Sequence, residues 1–566
     1  MSTIAGGSAG VAEPRRSIWN RQLAHYPDTA HRTLYLGITV AATVVLYYEL
    51  YVQGSVATKI IQDFGFTFTQ FVFVLVIGNL VGAFASLGAG LADRWGRANL
   101  VVGGLLLTGL LTLFALPNAS SKAEYTVFFA LVSIVEGMAL VATPALIRDF
   151  SPQIGRASAM AFWTMGPVLG SLLVTEVSSH TLDTHTDWQF QFRVAGIVGL
   201  VVFAIAAIGL RELSPRLRDQ LMVSMQDRAL IEARAQGIAP EKLTQNLWRQ
   251  MARADIVLPA LAVSVFLLLY YIFVAFLVVY FSTVFGYTEA KANNLANWYW
   301  IANALGLLVA GFTSDRLRVR KPILAAGTVL SLIAAAIFAS SATRPNTSYH
   351  TFAWVFVLGA VGGGTAYVCW MAAFTETVEK VNPAATATGL AVWGWILRIV
   401  VTVSFALLPV VVPATTTLVD KGAKVQEIVA QYPTQVTVLN TVDPATLTAA
   451  GTGDRAAGAK AVGELVRAGM TPVQAVAALQ SVARMPRADI AFLAANGARV
   501  QKAQADNPGQ WQTWWWICFA GQLCLVPAAL LMTGRWSPRK AREDEAEHAA
   551  LVERELAALQ TARAAS

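Results

Sequence analysis

Three ionisable side chains fall inside long apolar runs. Glu49 lies in Tyr47-Tyr48-Glu49-Leu50-Tyr51, Glu136 stands beside Gly137, and Arg398 sits between Leu397 and Ile399. A charged residue at the centre of a membrane helix costs about 2.5–3.5 kcal/mol on insertion scales, so each is a functional candidate by default. Burial favours the neutral form of a carboxyl, which suits reversible proton binding, and makes Glu49 and Glu136 the proton-coupling candidates. A hydrated place near the outer surface is the competing reading for Glu49, and a structural ion pair for Glu136. Arg398 offers a planar, two-pronged donor matched to carboxylate or phosphate. It can receive an anionic substrate, or form a fixed pair with Glu49 or Glu136.

Neighbours on the same helix faces extend the set. Trp395 precedes Arg398 by three positions and Thr402 follows by four; Ser133 and Thr143 share a face with Glu136. Tyr48, Tyr271, Asn303 and Trp395 join Arg398 as substrate-binding candidates. Aromatic density is high around them, with Tyr270, Trp298, Tyr299, Trp300 and Trp393. Interfacial belts account for Trp514, Trp515 and Trp516.

Such positions require spans to hold them. The 566 residues are 55% hydrophobic and only 13% charged, with mean hydropathy +0.53. Soluble domains carry about 25% charged residues. A span needs about 20 apolar residues. Twelve runs qualify: 33–57, 71–91, 99–117, 125–147, 157–177, 192–210, 255–284, 293–313, 322–341, 352–374, 387–413 and 511–534. Lipid offers the backbone no hydrogen bonds, so each run is expected to be a helix. With both termini in the cytoplasm, 27 of the 42 Lys and Arg fall in inner segments and five in short outer loops; nine lie in one long late loop. That asymmetry sets the expected orientation, and it accounts for the net charge of +8 without nucleic acid.

Several function classes find no support. Cys369, Cys518 and Cys524 all lie in apolar runs, which gives neither a disulfide framework nor a metal site. His180, His185, Asp183 and Asp187 cluster in a loop, but their spacing suits a hydrated loop better than a metal. No P-loop and no nucleophile–base constellation occurs, so no enzyme and no cofactor is expected. The first 32 residues contain no apolar signal core, so the first run is expected to be retained.

Two loops between runs repeat one another: Leu91-Ala92-Asp93-Arg94-Trp95-Gly96-Arg97, and Gly311-Phe312-Thr313-Ser314-Asp315-Arg316 with Arg318, Arg320 and Lys321 after it. A second echo links Arg148-Asp149-Phe150-Ser151-Pro152 to Glu376-Thr377-Val378-Glu379, again about half the chain apart. The Asp93 loop resembles the signature loop of the major facilitator superfamily, with Ala89 for a usual glycine and Ala98 for a usual basic residue. The resemblance covers nearly all the chain outside a late insert. It implies an all-α membrane protein of twelve transmembrane helices in two pseudo-symmetric six-helix bundles, with a cavity between them near the membrane midplane. It also implies that Asp93, Arg94, Gly96, Arg97, Asp315 and Arg316 form a conformational-gate loop that steadies one state of the alternating-access cycle.

The expected organisation is a cytoplasmic tail (1–32), a six-helix bundle (33–210), a cytoplasmic linker of short amphipathic helices (211–254) and five helices (255–413). An extracytoplasmic helical insert between helices 11 and 12 follows (414–510), then the twelfth helix (511–534) and a charged cytoplasmic tail (535–566). Within the insert, Val462, Leu465, Val466, Val473, Val476 and Leu479 have helical spacing.

Tyr48-Glu49-Leu50-Tyr51-Val52-Gln53-Gly54 is similar to the first-helix motif of aromatic- and organic-acid proton symporters, which carry two aspartates where this chain has only Glu49. Those symporters also place an arginine on the eleventh helix. Gly166-Pro167-Val168-Leu169-Gly170-Ser171 instead resembles the antiporter motif of drug exporters. The expected function is secondary active transport across the cytoplasmic membrane, as proton-coupled symport of an organic anion. Drug export is the alternative, and a non-transporting receptor acting through the insert is a third. Lipid, protons and a small solute are the expected partners of a functional monomer, and any partner of the insert is unknown.

Overall fold

A computed structural model describes residues 21–23, 25–86, 96–150, 156–214, 246–382 and 385–565. Its twelve long helices are α1 (Thr29–Ser55), α2 (Phe68–Ser86), α3 (Arg97–Leu110), α4 (Lys122–Phe150), α5 (Arg156–Thr181) and α6 (Trp188–Gly209), then α7 (Ala254–Phe285), α8 (Glu289–Leu317), α9 (Lys321–Ser341), α10 (Tyr349–Val381), α11 (Thr386–Val411) and α12 (Arg487–Leu523). Eleven of these are, among the described residues, long and apolar enough to cross a membrane; α5, with 26 residues, completes the set. Side-chain caps start many of them. Asp28 accepts from the His31 amide at α1, Thr288 from Lys291 at α8 and Ser348 from Thr351 at α10. Large apolar side chains such as Phe114, Ile208, Leu305 and Trp354 are exposed on the outer faces. Water would penalise such a surface, whereas lipid solvates it.

The two halves meet along α1, α5, α7 and α8. Where α1 ends and α8 begins, a polar lattice joins them. Thr58 donates to Glu289 at 2.7 Å, the Asn293 amide to the Ser55 carbonyl at 3.1 Å, and the Asn297 amide to Glu176 and Ser179. Beneath it α1 crosses α7 closely. A Cβ added at Gly54 would lie 2.2 Å from the Val274 carbonyl oxygen. Nearer the other end, the rings of Phe162 and Phe312 pair across α5 and α8 at 6.4 Å, and Phe84 and Trp395 across α2 and α11 at 6.0 Å.

At the Gly96 end each half is fastened by ion pairs, and the pairs obey the internal repeat. Arg97, opening α3, holds Asp149 at the end of α4 at 2.9 Å. Arg320, before α9, holds Glu376 near the end of α10 at 3.0 Å and Asp315 at 2.8 Å. The offset is 223 residues between the arginines and 227 between their α4 and α10 partners. Burial opposes the charge on Arg320, but Glu376 and Asp315 outweigh it and raise its pKa. In the second loop the ion pairs are thus made by Arg320, while Arg316, expected in the gate loop, is exposed. Asp93 and Arg94 lie outside the described residues.

Glu212 adds a part that local sequence did not show. It follows α6, is buried, and accepts from the Arg97 amide at 2.7 Å. Gly96 has φ +89°, and a Cβ there would meet the Glu212 carboxylate at 2.3 Å, so this position needs glycine. A carboxylate on a helix N-terminus is favoured by the exposed amides and the helix dipole. Arg21 closes the C-terminus of α6 by donating to the Ala207 carbonyl at 2.6 Å, and it reaches Asn99 at 3.0 Å. Gln22–Leu23 pair in parallel with Glu212–Leu213. Residues 211–214 thus form a strap, not the helix expected at the head of the 211–254 segment, most of which lies outside the described residues.

Pro409–Gln510 with Thr67–Thr69 form a second compact unit. Prolines 413, 433, 444 and 472 each occupy a first helical position, where no amide donor is needed, and so divide the segment into short helices. Its core is Val438, Val442, Ala461, Leu465, Ala475 and Ala478. Of the expected apolar stripe only Leu465 is fully buried. Val462 and Leu479 pack at the edge, while Val466, Val473 and Val476 are exposed. Short crossing helices approach through their alanines, which turns the buried face away from the larger valines. The last helix, Pro538–Ala565, carries an exposed i,i+4 pair, Arg539–Glu543.

Two substitutions test these contacts. Gly54→Ala should hold α1 and α7 apart, an overpacking cost of about 1–3 kcal/mol. Spin labels at Gln62 and Lys291, in a Cys524→Ser background, should then report a longer distance population; an unchanged distribution would refute the close-packing argument. Arg320→Ala should lower stability by about 3 kcal/mol, because Asp315 and Glu376 lose their common partner. Adding Asp315→Asn and Glu376→Gln should recover most of the loss in thermal unfolding.

Candidate functional site

Helix geometry decides which first-helix side chains can share a site. Tyr47 and Tyr51 are four residues apart, lie on one face of α1, and bring their rings to 5.4 Å. At 3.6 residues per turn, Glu49 is rotated about 200° from Tyr47. The structure places the two on opposite sides. Tyr47 faces Glu136 of α4 and Arg398 of α11, both within its electrostatic reach. Glu49 turns into the N-terminal bundle, where a Cβ on Gly199 of α6 would overlap its carboxyl, and where it faces Thr108 of α3.

Around Tyr47 lies a layer drawn from both halves. Tyr271 of α7 has Tyr47 and Arg398 as electrostatic neighbours, and Tyr367 of α10 has Tyr271 and Tyr47. Tyr270 stacks edge-on against Tyr271 at 5.2 Å and against Trp300 at 5.2 Å. Trp393 packs on Trp370 and Tyr367 of α10. This wall is aromatic, with hydroxyls and a single cation set into it.

Gly82 lets the charged groups in. It is the point where α2, α4 and α11 converge. A Cβ there would stand 3.1 Å from the Ser133 carbonyl and 3.6 Å from Arg398 Nη1, while Gly137 is pressed on the Gly82 carbonyl. The guanidinium therefore passes over α2 close to α4, one helical turn from Glu136. Glu136 is 1% exposed, and neither carboxyl oxygen has a hydrogen-bond partner among the described residues. Arg398 is half-buried, and among the described residues it forms no hydrogen bond or ion pair. The fixed pair with Glu49 or Glu136 is thus not made in this conformation.

The other expected site residues have more structural places. The Asn303 amide donates to the Ala360 carbonyl at 3.1 Å, which ties α8 to α10. Tyr48 is buried, with Glu49 as its electrostatic neighbour and its hydroxyl unpartnered. Trp395 is half-buried against Phe84. The Gly166–Ser171 stretch serves close packing: a Cβ on Gly170 would lie 2.9 Å from the Val44 carbonyl, and one on Gly166 2.6 Å from Thr43. His185 stacks on Phe190 at 3.9 Å, His180 bonds its own helix at the Glu176 carbonyl, and no metal-ligand cluster occurs among the described residues. Tyr47 and Tyr367 were not singled out as site residues from sequence. The four-residue spacing of Tyr47 and Tyr51 was the available signal for the first.

The comparisons with known proteins agree with this architecture. The sequence model of the Major Facilitator Superfamily matches residues 39–402. The chain is 24% identical over 357 residues to the probable nitrate/nitrite transporter NarK2 of Mycobacterium tuberculosis, covering 62% of this chain and 83% of that one. It is 24% identical over 217 residues to sugar phosphate exchanger 3 of Mus musculus, covering 33% of this chain and less than half, 42%, of the relative. Two solved structures share the fold at low identity. A bacterial homologue of the human lysosomal transporter Spinster, inward-facing and unoccupied, aligns with TM-score 0.55 and 15% identity over 90% of this chain and 100% of its own. The proton:xylose symporter XylE bound to 6-bromo-6-deoxy-D-glucose aligns with TM-score 0.53 and 13% identity over 69% and 91%. With that match over most of its length and twelve long helices in two ion-paired halves, this multi-pass membrane protein belongs to the major facilitator superfamily.

Proposed function

We propose that the chain is a secondary active transporter of the cytoplasmic membrane that carries a small organic anion together with a proton. The observation that carries this reading is the pairing at Tyr47: an unpartnered guanidinium, Arg398, and an unpartnered carboxyl, Glu136, on the seam between the halves. A half-buried cation at a helix seam without a protein partner among the described residues is a place for a substrate anion. The electrostatics then supply the coupling. With Arg398 charged and Glu136 ionised, the empty site is near neutral. An anion at Arg398 adds a negative charge that low dielectric cannot screen, so it favours a proton on Glu136. By linkage the proton favours the anion equally, a coupling of about 1–3 kcal/mol in typical cases. The names of two relatives, a nitrate/nitrite transporter and a sugar phosphate exchanger, refer to anions and support the cargo class. The exporter alternative rested on Gly166–Ser171, and those residues serve packing of α5 on α1. Orientation follows the Lys/Arg asymmetry, with both termini inside and residues 414–510 outside.

A proton-flux screen in proteoliposomes tests the reading, with carboxylates, sugar phosphates and nitrate set against cationic drugs. Flux should answer the anions. Arg398→Lys should weaken it roughly 10–100-fold despite the retained charge, because an ammonium cannot reproduce a two-pronged contact worth about 1.5–3 kcal/mol. Glu136→Gln should abolish uphill accumulation while exchange of the anion continues. Anion-driven flux of wild-type size in Arg398→Ala would exclude the anion site.

A further inference from the structure

Beside the close crossing of α1 and α7 the seam does not shut completely. A cavity of about 20 Å³ remains between α1, α5, α7 and α8, bordered by Tyr51, Ser171, Thr175, Val274 and Trp300. That is room for a single water-sized group. No charged side chain lines it among the described residues. Three polar groups meet here with nothing to bond. Trp300 is 1% exposed and Ser171 2%, and neither the indole Nε1 nor the serine hydroxyl has a hydrogen-bond partner among the described residues. The Tyr270 hydroxyl faces Ser171 and is unpartnered as well. Packing accounts for the Trp300 ring, which Tyr270 and Tyr299 meet edge-on at 5.2 and 4.8 Å, but not for its unpaired N–H. A buried donor without an acceptor is costly, so three such groups around one cavity call for a ligand.

The cavity adjoins the cargo layer. Tyr51 stands one turn of α1 beyond Tyr47 and has Tyr47, Tyr270 and Tyr271 as electrostatic neighbours. On α7, Tyr271 faces Arg398, while Tyr270 turns to Ser171 and Trp300. Four residues of helix rise about 6 Å, which separates the two levels. We propose that Trp300, Ser171 and Tyr270 form a second cargo subsite for an uncharged oxygen, so that the transported anion bears a carbonyl or hydroxyl about 6 Å from its acid group. This inference rests on the Arg398 reading, which seats the acid at the other end. An indole N–H only donates, so its partner must accept, and an ammonium group cannot. A second carboxylate would be buried with no cation in the lining. A methyl group would leave all three polar groups unpaired, and a site built to hydrogen-bond discriminates against an analogue that cannot. A ketone oxygen has two lone pairs and can take the Trp300 N–H and one hydroxyl together.

Proton flux in proteoliposomes tests the subsite with three acids of equal length: hexanoate, 5-oxohexanoate and hexanedioate. The oxo acid should half-saturate flux at about 10-fold lower concentration than hexanoate, and the dianion should be the poorest of the three. Trp300→Phe keeps an aromatic ring and removes the N–H, and it should bring 5-oxohexanoate to the level of hexanoate. Ser171→Ala should close part of the same gap. A purely structural role would weaken both acids alike, so the ratio between them is the readout. Equal half-saturation by hexanoate and 5-oxohexanoate in the wild-type protein, or a preference that survives both substitutions, would overturn the subsite and leave the Arg398 reading standing. Flux from none of the acids would be a failure of the Arg398 reading for carboxylates, and the subsite would fall with it.

Discussion

The structure depends on one constraint: a guanidinium held among apolar helices must meet a negative charge, and the protein does not provide one at Arg398 in this conformation. The chain instead provides access. Gly82 has no side chain to fill the space between α2, α4 and α11, and so the guanidinium reaches the seam. Everything near it is arranged around an unsatisfied cation. Tyrosines from α1, α7 and α10 line the space, and they offer hydroxyl dipoles without neutralising charge. Glu136 stands one turn from the contact with its oxygens unpaired. Among the described residues no Arg398–Glu136 bridge is made.

Charges at the Gly96 end follow the opposite rule. There several buried charges are matched among the described residues. Arg97 has Asp149, Arg320 has Asp315 and Glu376, Glu212 has the free amides of α3, and Arg21 has the free carbonyls of α6. Removing one member of such a group leaves a charge that protein cannot solvate. These contacts bind each half to itself rather than to the other half. They make two stiff bodies, and stiffness within a half is what lets motion concentrate at the seam. The polar lattice from Thr58 to Asn297 is of another kind. It consists of single hydrogen bonds and one long Lys59–Glu289 pair at 3.9 Å, contacts that can be broken one at a time.

Much of the fold was legible because lipid simplifies the code. A run of about 20 apolar residues has one allowed structure, so most of the twelve helices could be read with end errors of a few residues. The exception is α12, which begins at Arg487, 24 residues before the expected start and within the expected insert, because its polar first turns carry no apolar run. Arg398 and Glu136 were legible for the same reason: a charge in such a run is anomalous. What stayed hidden involves contacts between distant residues. Glu212 lies 115 positions from the Arg97 amide it receives, and nothing local marks it as a helix cap. Arg320 displaced Arg316 because the end of α8, with Arg318 in the left-handed region, aims the later arginine at α10. Asn303 looked like a ligand for cargo, and its amide is taken by an α10 carbonyl that sequence could not place. In the insert the helical spacing was legible, but which of the spaced residues are buried was not: Leu465 enters the core, Val462 and Leu479 pack against it, and Val466, Val473 and Val476 are exposed.

Helix α1 shows how one element can serve two chemistries. Its sequence sets Tyr47 and Tyr51 on one face and Glu49 on the opposite one, and 3.6 residues per turn allows no other outcome. The tyrosine face meets side chains of both halves. The glutamate face is closed by Gly199 and by the Leu113–Gly196 contact, all within one half. A carboxyl placed there is enclosed within one half, whereas Glu136 lies within reach of Tyr47, which Arg398 of the other half also reaches. The two carboxyls therefore meet different neighbours: Glu136 has Tyr47, and Glu49 stands against Thr108 and Gly199. Glu136 feels the charge of Glu49, and that repulsion is the physical link between the two faces of the helix.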